Sequence, residues 1–334
     1  MVFDRIKKKK KYNSIKEIIN EEFKDYQFNG QINNIEHHYA HLSSAFHVSP
    51  FKEACILSVD GFGDFASTAW GYGKENDIKI DKKIFFPHSL GIFYQAITQY
   101  LGFKNYGDEY KIMGLAPYGK PNYINELKKI LLINSNGSFK LNLDFFKFHK
   151  ENFNYKWEDG KVEIDNLYSN KWEEVIGPER KEEEDINQVQ KDLAHATKKV
   201  YEYACLNILN HLHEIYQIDN LCIAGGCGMN SVANGKIKNQ TKFKNIYIQP
   251  AAGDAGGSIG SAFATHFKNS NNKRSFQMKH AYWGTSFSED EILECLNKSS
   301  EKIIYENCTF EKVADDKNLN STVAKAISVG KVVG

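Results

Sequence analysis

Three times in this sequence an apolar run of strand length ends in a glycine-rich turn: "ACILSVDGFGD" (54–64), "NLCIAGGCGMN" (220–230) and "NIYIQPAAGDAGG" (245–257). Strands buried on both faces read as continuous apolar runs, not alternating ones. The first turn leads into a second strand, and the other two open segments with helical spacing. Strands separated by helices make this an α/β chain. Glycines in such turns let backbone N–H groups approach a phosphate closely, and a helix N-terminus favours anions. Glycine is also a plain turn former, so one turn alone carries little. Three in one α/β chain, two bearing an aspartate (Asp60 and Asp254), point to a nucleotide or phosphate site.

The second feature is "HHYAH" at His37–His41. If this stretch is helical, His37 and His41 share a face one turn apart and can share an ion, while His38 points about 100° away. Two imidazoles are not a complete site. Asp60 and Asp254 lie at turns where an α/β sheet meets its ligand crevice. With His37 and His41 they make an N₂O₂ set suited to Fe(II), Mn(II) or Zn(II), leaving positions for substrate oxygens. Taken alone, the histidines fit equally well a satisfied, partly buried pair or a helix face in water. The protease motif H-E-x-x-H is absent, because His38 stands where the glutamate would be. "GDEYKIMGLAPYGKP" joins a charged cluster (Asp108, Glu109, Lys111) to Gly114, Pro117 and Gly119. It reads as a surface loop entering a tight turn, or as a loop capping a polar substrate, with Glu109 and Lys111 the candidate contacts. Cys227 has no evident base beside it and reads as small filler.

A length of 334 residues, 41% hydrophobic and 25% charged, suits roughly two domains. A net charge of +1 argues against a dedicated nucleic-acid binder, and the basic run Lys7–Lys11 reads as a solvated terminus. No stretch approaches the roughly 18–20 apolar residues of a membrane span, and no apolar signal region follows Met1. Six cysteines without a C-x-x-C pair fit a reducing cytoplasm. "LGIFYQAITQYLGF" has helical spacing, as does "DINQVQKDLAHATKKVYEYACLNILNHLHEIY", where Val189, Leu193, Ala196, Val200, Ala204 and Ile208 recur. Residues 122–184 are aromatic, Lys-rich and irregular, an insertion or cover. Within them Phe145–Trp172 either covers the core or shapes a pocket. Lys268–Arg274, "KNSNNKR", is polar and aperiodic and reads as a linker. "TVAKAISVGKVVG" at the end reads as a helix running into an apolar strand.

In order and spacing, "EHHYAHLSSAFHVSPF", "LSVDGFGDFAST", "FPHSLGIFYQAITQYLGF", "GDEYKIMGLAPYGKP", "LCIAGGCGMNSVANGKI" and "IYIQPAAGDAGGSIGSAF" resemble the NodU/CmcH carbamoyltransferase family over about residues 30 to 334. The resemblance implies that residues 1–274 form an actin/hexokinase-like (ASKHA) ATPase-type domain, similar to the tRNA threonylcarbamoyl-transferring proteins. Residues 275–334 then begin a second α/β domain. In the family that second domain makes carbamoyl-adenylate from carbamoyl phosphate and ATP. The first domain passes the carbamoyl group to a hydroxyl of a small-molecule acceptor in secondary-metabolite or sugar-modification biosynthesis. The resemblance puts an iron ion on His37, His41, Asp60 and Asp254, and the adenylate against Gly61, Gly63, Gly225, Gly226 and Asn230. It leaves the general base unnamed. The chain departs from the family before Ile35, where a His-Asp pair is expected, and after "GKVVG", where an Arg- and Gly-rich motif is expected. "GGCGMN" is also less apolar than the family's usual turn. The chain is therefore expected to be a piece of an enzyme, cut at both ends and lacking the half that activates carbamoyl phosphate. A tRNA acceptor, or a non-catalytic nucleotide-binding module, are the alternative readings. A homodimer is the default assembly.

Overall fold

The computed structural model describes residues 15–26, 28–151, 155–158, 161–270 and 272–333. The Lys7–Lys11 run and Gly334 lie outside them. The chain divides into two units, Met1–Ala281 and Tyr282–Gly334.

The first unit opens with helices α1 (Ile15–Glu22) and α2 (His37–Phe46) and strands β1 (Glu53–Gly63), β2 (Ala66–Lys74) and β3 (Asp77–Phe85). Helices α3 (Leu90–Tyr100), α4 (Glu109–Leu115) and α5 (Ile124–Ile130) follow, then two hairpins, β4–β5 (Leu131–Ile133, Phe139–Leu141) and β6–β7 (Tyr155–Glu158, Lys161–Ile164). It closes with α6 (Lys171–Ile176), α7 (Gln188–Tyr216), β8 (Asn220–Ala224), α8 (Ser231–Gln240), β9 (Asn245–Ile248) and α9 (Asp254–Asn269).

A five-stranded mixed sheet in the order β3-β2-β1-β8-β9 organises this unit. β1 is antiparallel to β2, and β2 to β3, whereas β8 is parallel to β1 and β9 parallel to β8. Ala54 to Val59 of β1 are buried on both faces. Alternation along the strand sends Cys55, Leu57 and Val59 into a core with Leu90, Phe93 and Ile97 of α3 and Leu193, Val200, Ala204 and Ile208 of α7. Ala54 and Ile56 face the other way, onto Leu42, Ala45 and Phe46 of α2. Because β1, β8 and β9 point the same way, the three glycine turns that end them share one edge of the sheet. In open α/β sheets, that edge is where ligands bind.

α2 is drawn onto α9 by small residues. A Cβ built at Gly260 would lie 1.8 Å from the Ala40 carbonyl oxygen, so only glycine allows this approach. Ser43 Oγ donates to the Gly260 carbonyl at 2.7 Å, and the Gln249 side-chain amide donates to the Ser44 carbonyl.

The structure refines three expectations. Residues 122–184 contain α5, both hairpins and α6, and they bury Phe139, Phe146, Phe148, Tyr168 and Trp172 in the main core; the last four, within Phe145–Trp172, are part of the core. "GDEYKIMGLAPYG" is not a loop. It forms α4 and a 3-10 turn at Ala116–Tyr118, anchored by buried Ile112 and Ala116, because tertiary packing overrides the glycine and proline signals. Residues 331–333 carry no strand.

The second unit holds α10 (Glu289–Lys298), α11 (Ser300–Tyr305) and α12 (Asp316–Ser328). Ser288 and Glu291 form a reciprocal cap at the start of α10, each side chain meeting the other's backbone N–H. Among the described residues, no helix is long and apolar enough to cross a membrane.

Candidate metal centre and adjoining cavity

Glu36 starts α2: its carboxylate accepts the Tyr39 N–H at 2.8 Å and pairs with Lys83 at 2.8 Å. His37 therefore opens the helix and His41 follows one turn later on the same face. His41 is fully buried, and His37 keeps about a quarter of its side chain exposed. The two Nε2 atoms stand 3.1 Å apart, and each lies 2.9 Å from Asp60 Oδ2. Asp254, in the first turn of α9, brings Oδ1 to 3.4 Å from His41 Nε2 and 3.7 Å from His37 Nε2. One ligand atom from each of His37, His41, Asp60 and Asp254 thus lies within 4.8 Å of all the others.

The donor set fits a divalent cation. At metal–ligand bonds of ~2.1 Å, neighbouring donors sit ~3.0 Å apart around an octahedron and ~3.4 Å apart around a tetrahedron. The five spacings that involve a histidine, 2.9–3.7 Å, bracket those values. Two imidazole nitrogens and two carboxylates are the mixed N,O donor set that Fe(II), Mn(II) and Zn(II) accept.

The surroundings aim these groups. Asp60 Oδ1 accepts the backbone N–H of Gly61 at 2.8 Å and of Gly226 at 3.2 Å, leaving Oδ2 for the histidines. Burial pushes the Asp60 pKa up, but the hydrogen bonds to His37 and His41 and the Gly61 amide outweigh it and hold the carboxyl far below the usual carboxylate range. The hydrogen bond to Asp60 raises the pKa of His37 against an opposing effect of burial. Ser89, the N-cap of α3, donates to the carbonyls of Asp60 (3.1 Å) and Gly61 (2.8 Å) and pins the turn. His38 points away, as the helical period requires; its Nδ1 meets Ser58 Oγ at 2.9 Å, and burial lowers its pKa.

Beside this cluster lies a cavity of about 400 Å³. Asp60, Gly61, Gly226, Cys227, Asn230 and Asp254 line it from the glycine turns, Gly91, Tyr94 and Gln95 from α3, and Glu109, Tyr110 and Met113 from α4. Asp60, Asp254, Glu109, Gly61, Gly226 and Asn230, all singled out in the sequence, thus meet around one space. Asn230 also caps α8, accepting the Ala233 N–H at 3.0 Å. Gly225 and Gly63 are not in the lining. Gly225, at φ +90°, lies against the Val59 backbone, and Gly63 lies against the His37 ring. Lys111 turns away, pairing with Asp108 at 2.9 Å and lying over the Phe103 ring. Burial raises the pKa of Cys227 well above the ordinary thiol value, which favours the neutral thiol over the nucleophilic thiolate. Burial likewise raises that of Glu109. Sequence reasoning missed Gly91, where a Cβ would meet the Asp60–Gly61 backbone at 2.9 Å, and Tyr94, whose buried hydroxyl has no hydrogen-bond partner among the described residues. Both lie in "SLGIFYQ", where helical periodicity masked their direction.

Residues 5–263 match the family described as "Carbamoyltransferase N-terminus". The chain is 37% identical to the sll1178 protein of Synechocystis sp., over 90% of this chain and 46% of that one. It is 31% identical to nodulation protein NolNO of Sinorhizobium fredii, over 79% of this chain and 35% of that one. It spans about half the length, or less, of these relatives. Among solved structures it is similar to T. kodakarensis HypF at a TM-score of 0.38 and 12% identity, covering 75% of this chain and 39% of that one.

Proposed function

We propose that this chain, which belongs to the carbamoyltransferase N-terminus family, carries the carbamoyl-transfer site of an O-carbamoyltransferase. In this reading, residues 1–274 are an actin/hexokinase-like domain that receives carbamoyl-adenylate, made from carbamoyl phosphate and ATP. Residues 275–334 open the domain that makes it. The acceptor is a hydroxyl of a small molecule, and the enzyme is cytoplasmic. The observation that carries the reading is the convergence of His37, His41, Asp60 and Asp254 at the edge of a cavity lined by the glycine turns.

The four side chains would hold Fe(II), which when bound supplies positive charge to stabilise a phosphate leaving group and polarise the carbonyl. Backbone N–H groups at Gly61 and Gly226 fix Asp60, and the turns they belong to supply the close backbone approach that a phosphate needs. The acceptor hydroxyl must lose a proton as its oxygen attacks the carbamoyl carbon. Apart from Asp60 and Asp254, Glu109 is the only carboxylate among the described residues of the cavity lining, and its raised pKa makes it a stronger base. The Tyr94 hydroxyl offers a further hydrogen bond to a polar ligand group.

The test is the metal content of the anaerobically purified chain, beside H37A/H41A and D60A variants. About one iron per chain, lost in both variants together with AMP binding in D60A, is the expected result. A D60A chain that binds AMP and metal as the unaltered chain does refutes the site.

A further inference from the structure

The polar stretch Lys268–Arg274 read as a linker, yet its last residue is tied into the fold. Helix α2 ends at Phe46, and the last turn of a helix leaves carbonyls without intrahelical donors. Arg274 adds further donors at this end, where the Phe46 carbonyl also accepts the Ser49 N–H at 3.1 Å. Its Nη2 donates to the carbonyls of Phe46 (2.5 Å) and Ser49 (2.9 Å), and its Nε donates to that of His47 (3.2 Å). Its Nη1 donates to the carbonyls of Phe51 (2.8 Å) and Glu75 (3.1 Å). The guanidinium also stacks over the Phe46 ring at 4.3 Å. One side chain thus ties together the end of α2, the loop leading into β1 and the β2–β3 turn. Four residues on, the Met278 N–H donates to the Val48 carbonyl at 2.9 Å, and the Met278 carbonyl accepts from Tyr247 Oη at 2.8 Å.

We infer that Arg274 is a positioning residue for the metal centre, holding the far end of α2 so that His37 and His41 stay in register with Asp60 and Asp254. The inference rests on the metal reading proposed above. Beyond its apolar face, α2 is tied at its start by Glu36 to Lys83, on its flank by His38 to Ser58, and past its middle by the Gln249 amide on the Ser44 carbonyl. Near its middle, Ala40 and Ser43 press on Gly260 of α9. That contact acts as a pivot, with His37 on one side and the Arg274 clamp on the other. His37 lies ~4.5 Å along the axis from Ala40. A tilt of ~6° about the pivot moves it ~0.5 Å, which is the tolerance of a preorganised site. Arg274 ties the far end of α2 to three segments at once, so its loss shortens the span over which the helix is held and leaves that tilt less resisted. Only a planar fork of donors can serve carbonyls arriving from three segments; a lysine ammonium supplies a point charge with three donors.

The experiment titrates the full chain with Zn(II) alone, against a competing chelator, and records the melting temperature with and without the ion. It compares the unaltered chain with R274A, R274K and H37A/H41A. The expected result is a Zn(II) dissociation constant weakened about tenfold in R274A, at the lower end of what loss of a ligand-orienting contact does. R274K should fall between R274A and the unaltered chain, and the metal-induced rise in melting temperature should shrink in the same order. If R274A fails to fold, R274K alone decides, because an unaltered dissociation constant there overturns the inference. A lower melting temperature in R274A without metal, with unchanged Zn(II) affinity, makes Arg274 a structural cap only and also overturns it. If the unaltered chain binds Zn(II) no better than H37A/H41A, the metal reading fails first and this inference with it.

Discussion

The two glycines of "DGFG" resemble one another in sequence, yet the structure gives them opposite sensitivities. A Cβ built at Gly63 would lie 2.0 Å from Cγ and Cδ2 of the His37 ring, while one built at Gly61 meets nothing within 4 Å. Carbon atoms pack at ~3.5–4.0 Å, so in G63A the imidazole must retreat by ~1.5 Å or more. The His37 side chain is about a quarter exposed and has room to retreat, and settling off a preferred rotamer costs of order 0.5–1.5 kcal/mol. Displaced that far, His37 Nε2 loses the 2.9 Å approach to Asp60 and the 3.1 Å approach to His41. G63A should therefore remain folded, with a melting temperature within a few degrees of the unaltered chain, but bind Zn(II) or anaerobic Fe(II) at least ~100-fold more weakly. That exceeds the effect typical of an outer-shell change because a ligand itself is removed. G61A should bind metal normally. Chelator competition with circular dichroism on both variants decides it. Equal affinity in G63A, or an equal loss in G61A, would refute the reasoning that Gly63 exists to make room for His37.

Three further outcomes are expected. G260A forces a Cβ into the Ala40 backbone, so despite alanine's better helix propensity it should destabilise the fold by ~1–3 kcal/mol in urea and weaken metal binding as α2 and α9 part. Trp172, with no exposed surface, packs on Tyr100, Phe146 and Tyr168; W172A should cost ~3–5 kcal/mol while leaving the Zn(II) dissociation constant of the folded chain unchanged. In the metal-free chain the His37–Asp60 pair titrates with two signs. The raised pKa of His37 contributes stability that is full below its ordinary 6.5 and lost as pH rises through the raised value; the depressed pKa of Asp60 contributes stability that is full above its ordinary 3.8 and lost as pH falls through the lowered one. The pair should therefore stabilise the metal-free fold most between about pH 4 and 6.5. Metal affinity should run the other way, rising with pH until His37 has lost its proton. Melting scans from pH 4 to 8, with and without Zn(II), would show the two trends crossing; parallel curves would contradict them.

The sheet was legible because β1, β8 and β9 need little context: each is a short apolar run closed by glycine, and parallel pairing then places their ends together. The convergence of His37, His41, Asp60 and Asp254 follows from that edge and from an i, i+4 spacing on α2. Directions were harder to read. Glu109 and Lys111 differ by two helical positions, so only one can face the cavity, and Asp108 at i−3 draws Lys111 away. The sequence reading held α4 to be a loop, and in a loop that constraint disappears. Gly63 and Gly91 matter through atoms distant in sequence, the His37 ring and the Asp60–Gly61 backbone, so local turn chemistry says nothing of them. Arg274 was hidden for a related reason: its partners are backbone carbonyls, which every residue carries. Sequence patterns reveal groups whose chemistry is rare, such as paired histidines. They conceal devices built from common groups brought close, and at this site those devices hold the rare groups in place.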